Sequence, residues 1–182
     1  MKYILTIIMA TALISCGTPK DTTAYANSAK VLDAMVAAEA FQIESDVANP
    51  MVTSGLNAVG NSGLLPAGSS VSRINLIGNS NFLRVEGNEV SAYLPYYGER
   101  RTGVSFDNNS AIEFEGVPST YTVSKDEEKN RYTIKFEISE RNETYSVILT
   151  LFPNLKSTID VNSTDRTSIR YDGYVEAIKV EE

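Results

Sequence analysis

A chain of 182 residues with no histidine and one cysteine has few routes to catalysis. Histidine is the usual carrier of protons near neutral pH. Without it, Ser-His-Asp and Cys-His sites are excluded, and so are metal sites built on imidazole or on grouped thiolates. Carboxylates alone could still hold Ca²⁺ or act as an acid pair on a glycan. Glu89, Glu99, Glu113 and Glu115 lie near an aromatic turn, Leu94-Pro95-Tyr96-Tyr97-Gly98. Nothing in their spacing sets two of them at the roughly 5–9 Å that glycoside chemistry uses. Asp126-Glu127-Glu128 lacks the alternating acids and the glycine of a dedicated Ca²⁺ loop. The expectation is a protein that is not an enzyme and carries no cofactor or metal.

Contact chemistry is better represented. There are 10 tyrosines, each a flat apolar face with a hydroxyl. Tyr96 and Tyr97 either cap one end of a core or form an aromatic rim on a ligand mouth, with Tyr171 and Tyr174 candidates to lie nearby. Arg100-Arg101 follows at once and could hold a carboxylate or phosphate. Tyr96, Tyr97, Arg100 and Tyr171 are therefore the candidate ligand or partner contacts. Pro95 must end a ladder or sit at an edge, and Gly98 allows a tight approach.

The lone thiol has a different meaning. Lys2 precedes a nearly unbroken apolar run from Tyr3 to Leu13. That run is too short for a membrane span, which takes about 20 residues, but it has the length of a signal peptide's apolar region. It ends in Leu13-Ile14-Ser15-Cys16-Gly17, which resembles the lipobox of bacterial lipoproteins. Residues 1–15 are then a cleaved signal, residues 16–23 a lipidated tether, and residues 24–182 one domain. Acyl chains on Cys16 would hold the protein to a membrane, since each buried methylene adds about 0.8 kcal/mol. The expected address is the cell envelope, by default the outer membrane, on either face. The formal charge is −7, and loss of Lys2 makes the mature chain more acidic still. Such a surface repels phosphate backbones, so nucleic acid is not a partner; a small ligand or an envelope protein remains open.

The spacing of apolar residues supplies the scaffold. Ala29, Leu32, Met35, Val36 and Ala40 predict a helix over 24–41. From Phe41 the period is two, with Ile43, Ser45 and Val47 on one face. Residues 51–70 are rich in Gly, Ser and Asn and either hide a short element or form a long loop. Residues 71–77 could be a strand. Residues 82–94 predict a hairpin about Gly87-Asn88, with Val85 opposite Val90 and Leu83 opposite Ala92. Further strands alternate around Ile112, Tyr121, Ile134, Val147, Ile159 and Ile169, with Gly173 a bulge or bend. The expected fold is mainly β: a single antiparallel β-barrel, lipocalin-like or half-open, or a β-sandwich. It would have about eight to ten strands and one N-terminal helix.

Three stretches carry a family likeness: Leu94-Pro95-Tyr96-Tyr97-Gly98, Ala111-Ile112-Glu113-Phe114, and Arg166-Thr167-Ser168-Ile169-Arg170-Tyr171-Asp172-Gly173. In this order they resemble a family of small Bacteroidetes lipoproteins known as domain of unknown function 4251, over about residues 30–180. The resemblance implies an exported lipoprotein with one mainly-β domain and brings no activity, ligand or catalytic residue. Asp21-Thr22-Thr23 likewise resembles an O-glycosylation motif of exported Bacteroidetes proteins. The functional expectation is an envelope-anchored binding or interaction module without catalysis. The alternatives are a carboxylate enzyme on envelope glycans and an assembly accessory with no small ligand.

Overall fold

A computed structural model describes residues 22–101 and 111–178. Cys16, the signal segment 1–15 and the tether up to residue 21 lie outside the described residues, as does the side chain of Thr22. The order of elements is α1 (Thr22–Ala37), β1 (Ala40–Pro50), α2 (Ser54–Asn61), β2 (Ile74–Asn75), β3 (Phe82–Glu86), β4 (Glu89–Pro95), β5 (Ala111–Gly116), β6 (Thr120–Asp126), β7 (Arg131–Glu140), β8 (Glu143–Leu151), β9 (Lys156–Ser163) and β10 (Ile169–Ala177).

All ten strands join one antiparallel sheet in the order β5-β4-β3-β1-β10-β9-β8-β7-β6, with β2 added beside β1. Strands β5 and β6 are consecutive in the chain yet occupy opposite edges. Only residues 117–119 join them, a reach of roughly 10–15 Å. The sheet must therefore curl until its edges approach. Phe114 of β5 meets Phe136 of β7 edge-on at 6.0 Å and Tyr145 of β8 at 5.5 Å. The result is the half-open barrel among the expected forms.

Alternation fills the concave face. Phe41, Ile43, Leu83, Val85, Ile134 and Val147 are among the residues fully buried in one continuous apolar cluster. The hairpin has the expected register: Leu83 faces Ala92, Val85 faces Val90 and Glu86 faces Glu89. Gly87 takes the positive φ of 61° that this turn needs.

Helix α1 lays Ala29, Leu32, Met35 and Val36 on the core. It ends at Ala37, not at residue 41. Glu39 adopts φ 49° and its carbonyl accepts from Gly87 N at 2.8 Å, so Phe41 enters β1 opposite Val85. Burial of the alternating residues outweighs the helical propensity of Ala38 and Ala40. The helix is pinned through Asp33, which accepts from the Tyr132 hydroxyl at 2.7 Å and lies 3.0 Å from Lys125 Nζ. The Tyr132 hydrogen bond, then Lys125, holds the Asp33 carboxyl below its ordinary value. A lowered carboxyl pKa gives stability that is complete above about pH 4 and lost as pH falls through the folded value. Asp33→Asn should lower the melting temperature slightly near pH 7, because the pair is partly solvated and screened by salt. The gap from the parent should close as the pH is taken down to about 2 in a thermal-denaturation series.

The segment 51–70 contains α2, capped by Thr53, whose Oγ1 accepts from Leu56 N at 3.2 Å. The strand expected at 71–77 shrinks to two residues, Ile74 and Asn75, which pair with Ala48 and Val47. Between these and β3, β1 carries a bulge at Ser45–Val47. The extra residue is on β1, while Gly173 lies opposite it on β10. There the Asn81 side chain replaces a strand neighbour: its Oδ1 accepts from Ser45 N and its Nδ2 donates to Ser45 O, both at 2.9 Å.

Candidate functional site

The strand register places the two ends of the barrel. β1 begins beside the end of β10, with Phe41 opposite Ala177, and finishes beside its start, with Pro50 opposite Ile169. Helix α1, leading into β1, covers the first end. The tyrosine turn follows β4 at the second, where Pro95 pairs with Ala111.

At that second end the turn runs against residues 165–167. Thr167 N donates to Glu99 O at 3.0 Å, Arg101 N donates to Asp165 O at 2.6 Å, and Arg100 bridges to Arg166 through the backbone. The Tyr96 hydroxyl sits 2.8 Å from Thr167 Oγ1 and 3.0 Å from Glu99 O. Gly98 is needed for this packing, because a Cβ there would fall 2.6 Å from Tyr96 Cζ and 2.7 Å from Thr167 Oγ1. Tyr171 donates its hydroxyl to Pro95 O at 2.9 Å.

The centre of the cluster is an ion pair that sequence reasoning missed. Arg166 is 4% exposed and Glu143 8% exposed. Arg166 Nε donates to Glu143 Oε1 at 2.9 Å, and its NH1 donates to the carbonyl of Ala111 at 2.9 Å. The guanidinium also lies 5.1 Å from the centre of the Tyr96 ring. Ser163 donates its hydroxyl to Glu143 and accepts from the backbone amides of Asp165 and Arg166. One arginine therefore ties the start of edge strand β5 to the β8 and β9 termini, across the opening between the two wings of the sheet. Arg166 stands in a stretch that carries the family likeness, and that was its only signal. Glu143 gave none.

Burial raises the phenol pKa of Tyr96, Tyr97, Tyr145 and Tyr171. For Tyr145, Arg166 pulls the other way and a hydrogen bond to Glu143 adds to the rise. These tyrosines are neutral at physiological pH, suited to hydrogen bonding and apolar contact and not to proton abstraction.

The candidate contacts are brought together, but not equivalently. Tyr171 is completely buried, with its hydroxyl held by Pro95, so it supports the turn from beneath and offers no face to a ligand. Tyr96 is half-buried and engaged, Tyr97 is half-buried, and Arg100 is exposed. Tyr174 lies away from the turn, opposite Lys156. Helix α2 adjoins the turn through Gly55 N, which donates to Glu99 Oε1 at 3.0 Å. Met51, next to Ile169 through its bond to Ser168 O, is 48% exposed, and Leu64 after α2 is 76% exposed. Glu89, Glu113 and Glu115 lie on the exposed outer side of β4 and β5. Asp126 and Glu127 pair with Arg131, Lys129 and Lys125.

The model of the family described as Domain of unknown function (DUF4251) matches residues 24–175. No curated protein matches the chain. Among solved structures, a DUF4251 family protein from Bacteroides eggerthii superposes with a TM-score of 0.56 at 13% identity, covering 83% of this chain and 88% of that one. At that identity the likeness concerns the fold.

Proposed function

From the premise that this chain belongs to the DUF4251 family, we propose that it is an envelope lipoprotein, anchored through Cys16, whose half-barrel is a non-catalytic interaction module. The observation that carries the reading is the filled concave face. The space that would be a ligand lumen in a lipocalin-like barrel is taken by core side chains. Recognition then falls to the outside, and the end away from α1 has the better chemistry: Tyr97, Arg100 and the exposed apolar groups Met51 and Val52 on a base locked by Arg166 and Glu143. Exposed apolar side chains with aromatic and Arg neighbours mark partner surfaces. The helix that follows the tether covers the opposite end, so among the described residues the tyrosine end is the one open to an envelope protein.

The test uses the full chain in its own bacterium. A photoreactive amino acid at position 97 or 100 should give one discrete cross-linked protein, and the same group at position 113 should not. Cys16→Ser should abolish fatty-acid labelling and move the protein to the soluble fraction. Absence of any adduct at 97 and 100 would remove the interaction reading, while unchanged labelling of the serine variant would remove the anchor.

A further inference from the structure

A second feature lies on the outer face of the sheet and shares no residue with the tyrosine turn. At the β1 bulge, Ser45 pairs with Gly173 and Val47 with Asp172, which leaves Asp46 without a partner on β10, while its carbonyl accepts from Leu76 N at 2.8 Å on the other side. Bulges re-aim side chains, and they concentrate beside functional sites. Asp46 here lines a cleft of about 590 Å³, inside the range of about 300–1,000 Å³ common to ligand pockets. The β2 segment forms one wall, with Arg73 and Ile77. The β9–β10 side forms the other, with Lys156, Asp172 and Tyr174.

We propose that this cleft binds a neutral oligosaccharide. Its two cations, Arg73 and Lys156, are balanced by two anions, Asp46 and Asp172. Among the described residues Arg73, Lys156 and Asp46 have no ion-pair partner, although they share one cleft. Asp172 is already oriented, accepting from Asn49 Nδ2 at 2.7 Å and from Thr158 Oγ1 at 3.4 Å. Tyr174 is 51% exposed and Ile77 74% exposed, so apolar surface borders these polar groups. A phosphate would meet two carboxylates, and an acyl chain would strip water from four charges without replacing it. A sugar ring carries hydroxyls that both donate and accept, and C–H faces that cover a tyrosine ring. It satisfies both kinds of lining at once. The groups are held by a strand register that Gly173 enforces, so the cleft is built before any ligand arrives.

The experiment titrates the full chain, in micelles of a detergent without a sugar headgroup, with maltotriose, cellotriose and triacetylchitotriose in turn, read by calorimetry. At least one should bind saturably. Tyr174→Ala and Arg73→Ala, both at exposed positions, should each weaken that binding tenfold or more while the melting temperature stays within a degree or two of the parent. Silence with all three sugars at millimolar concentration overturns the proposal. So does binding that both variants leave unchanged, or inorganic phosphate binding that both variants abolish. Cross-linking at position 97 can fail with this cleft active, and the converse also holds, so the two readings fall separately.

Discussion

Gly173→Ala should be the most damaging single-methyl change in the protein. A Cβ at this position would lie 2.6 Å from Ser45 Cα and 2.8 Å from the Glu44 carbonyl carbon, and closer still to the Glu44 oxygen. These are backbone atoms of the central strand, paired with β10 on one side and held through Ser45 by the Asn81 side chain on the other, so they cannot rotate away as a side chain would. Overpacking normally costs about 1–3 kcal/mol, and this contact belongs at or above the top of that range. Against a domain stability of about 5–15 kcal/mol, the variant should show a strongly reduced urea midpoint or fail to accumulate. Gly78→Ala is the control. It lies at φ 84° with open space around its Cβ, so its cost is backbone strain alone, on the order of 1 kcal/mol. Equal losses for the two variants would contradict the close approach described for β1 and β10.

Removing one partner of the Arg166–Glu143 pair should cost about 3–5 kcal/mol, because it leaves the other charge buried and uncompensated. Arg166→Met also removes the hydrogen bond that the guanidinium donates to the Ala111 carbonyl at the edge of the sheet. Arg166→Lys should rescue little, since a point charge cannot serve Glu143 and Ala111 in the planar geometry of a guanidinium. The double variant Arg166→Met, Glu143→Leu should recover a large part of the loss, as apolar replacement of both members often does. Urea denaturation of the parent, Arg166→Met, Glu143→Leu and the double variant gives the coupling directly. Additive losses in the double variant would show that the pair is not the unit that closes this end of the barrel.

The parts of the fold legible from sequence are those where one face of a strand is buried and the next residue is not. Residues 82–94 and 131–151 alternate cleanly, and the register of the first follows from its turn residues alone. The end of α1 was illegible because Ala38-Glu39-Ala40 contains nothing that stops a helix, and the positive φ falls on a glutamate. Helix α2 was hidden by Gly55 and Gly60, both poor helix formers. Gly60 is there because a side chain would strike Val71, a contact from outside the local sequence. At the tyrosine turn, the pattern identified Tyr96, Tyr97, Arg100 and Tyr171 as neighbours but could not separate a surface tyrosine from the buried Tyr171. Glu143 sits in a polar stretch, Ser139 to Glu143, that carries no local sign of burial. Its burial arises only when the termini of β5, β8 and β9 converge, and no local period records that.

The pairing of β1 with β10 sets the order in which the molecule can assemble. The wings β3–β5 and β6–β9 are runs of neighbours in sequence that can form hairpins early, by closing short loops. What joins them is contact between residues 41–50 and 169–177, separated by nearly the whole described chain. Such long-range closure slows folding. Until residues 169–177 have emerged and found β1, the two wings are separate meanders with exposed apolar faces. A chain that has not yet closed β1 onto β10 has no completed core, which makes the interval between synthesis and closure the stage most exposed to aggregation and proteolysis.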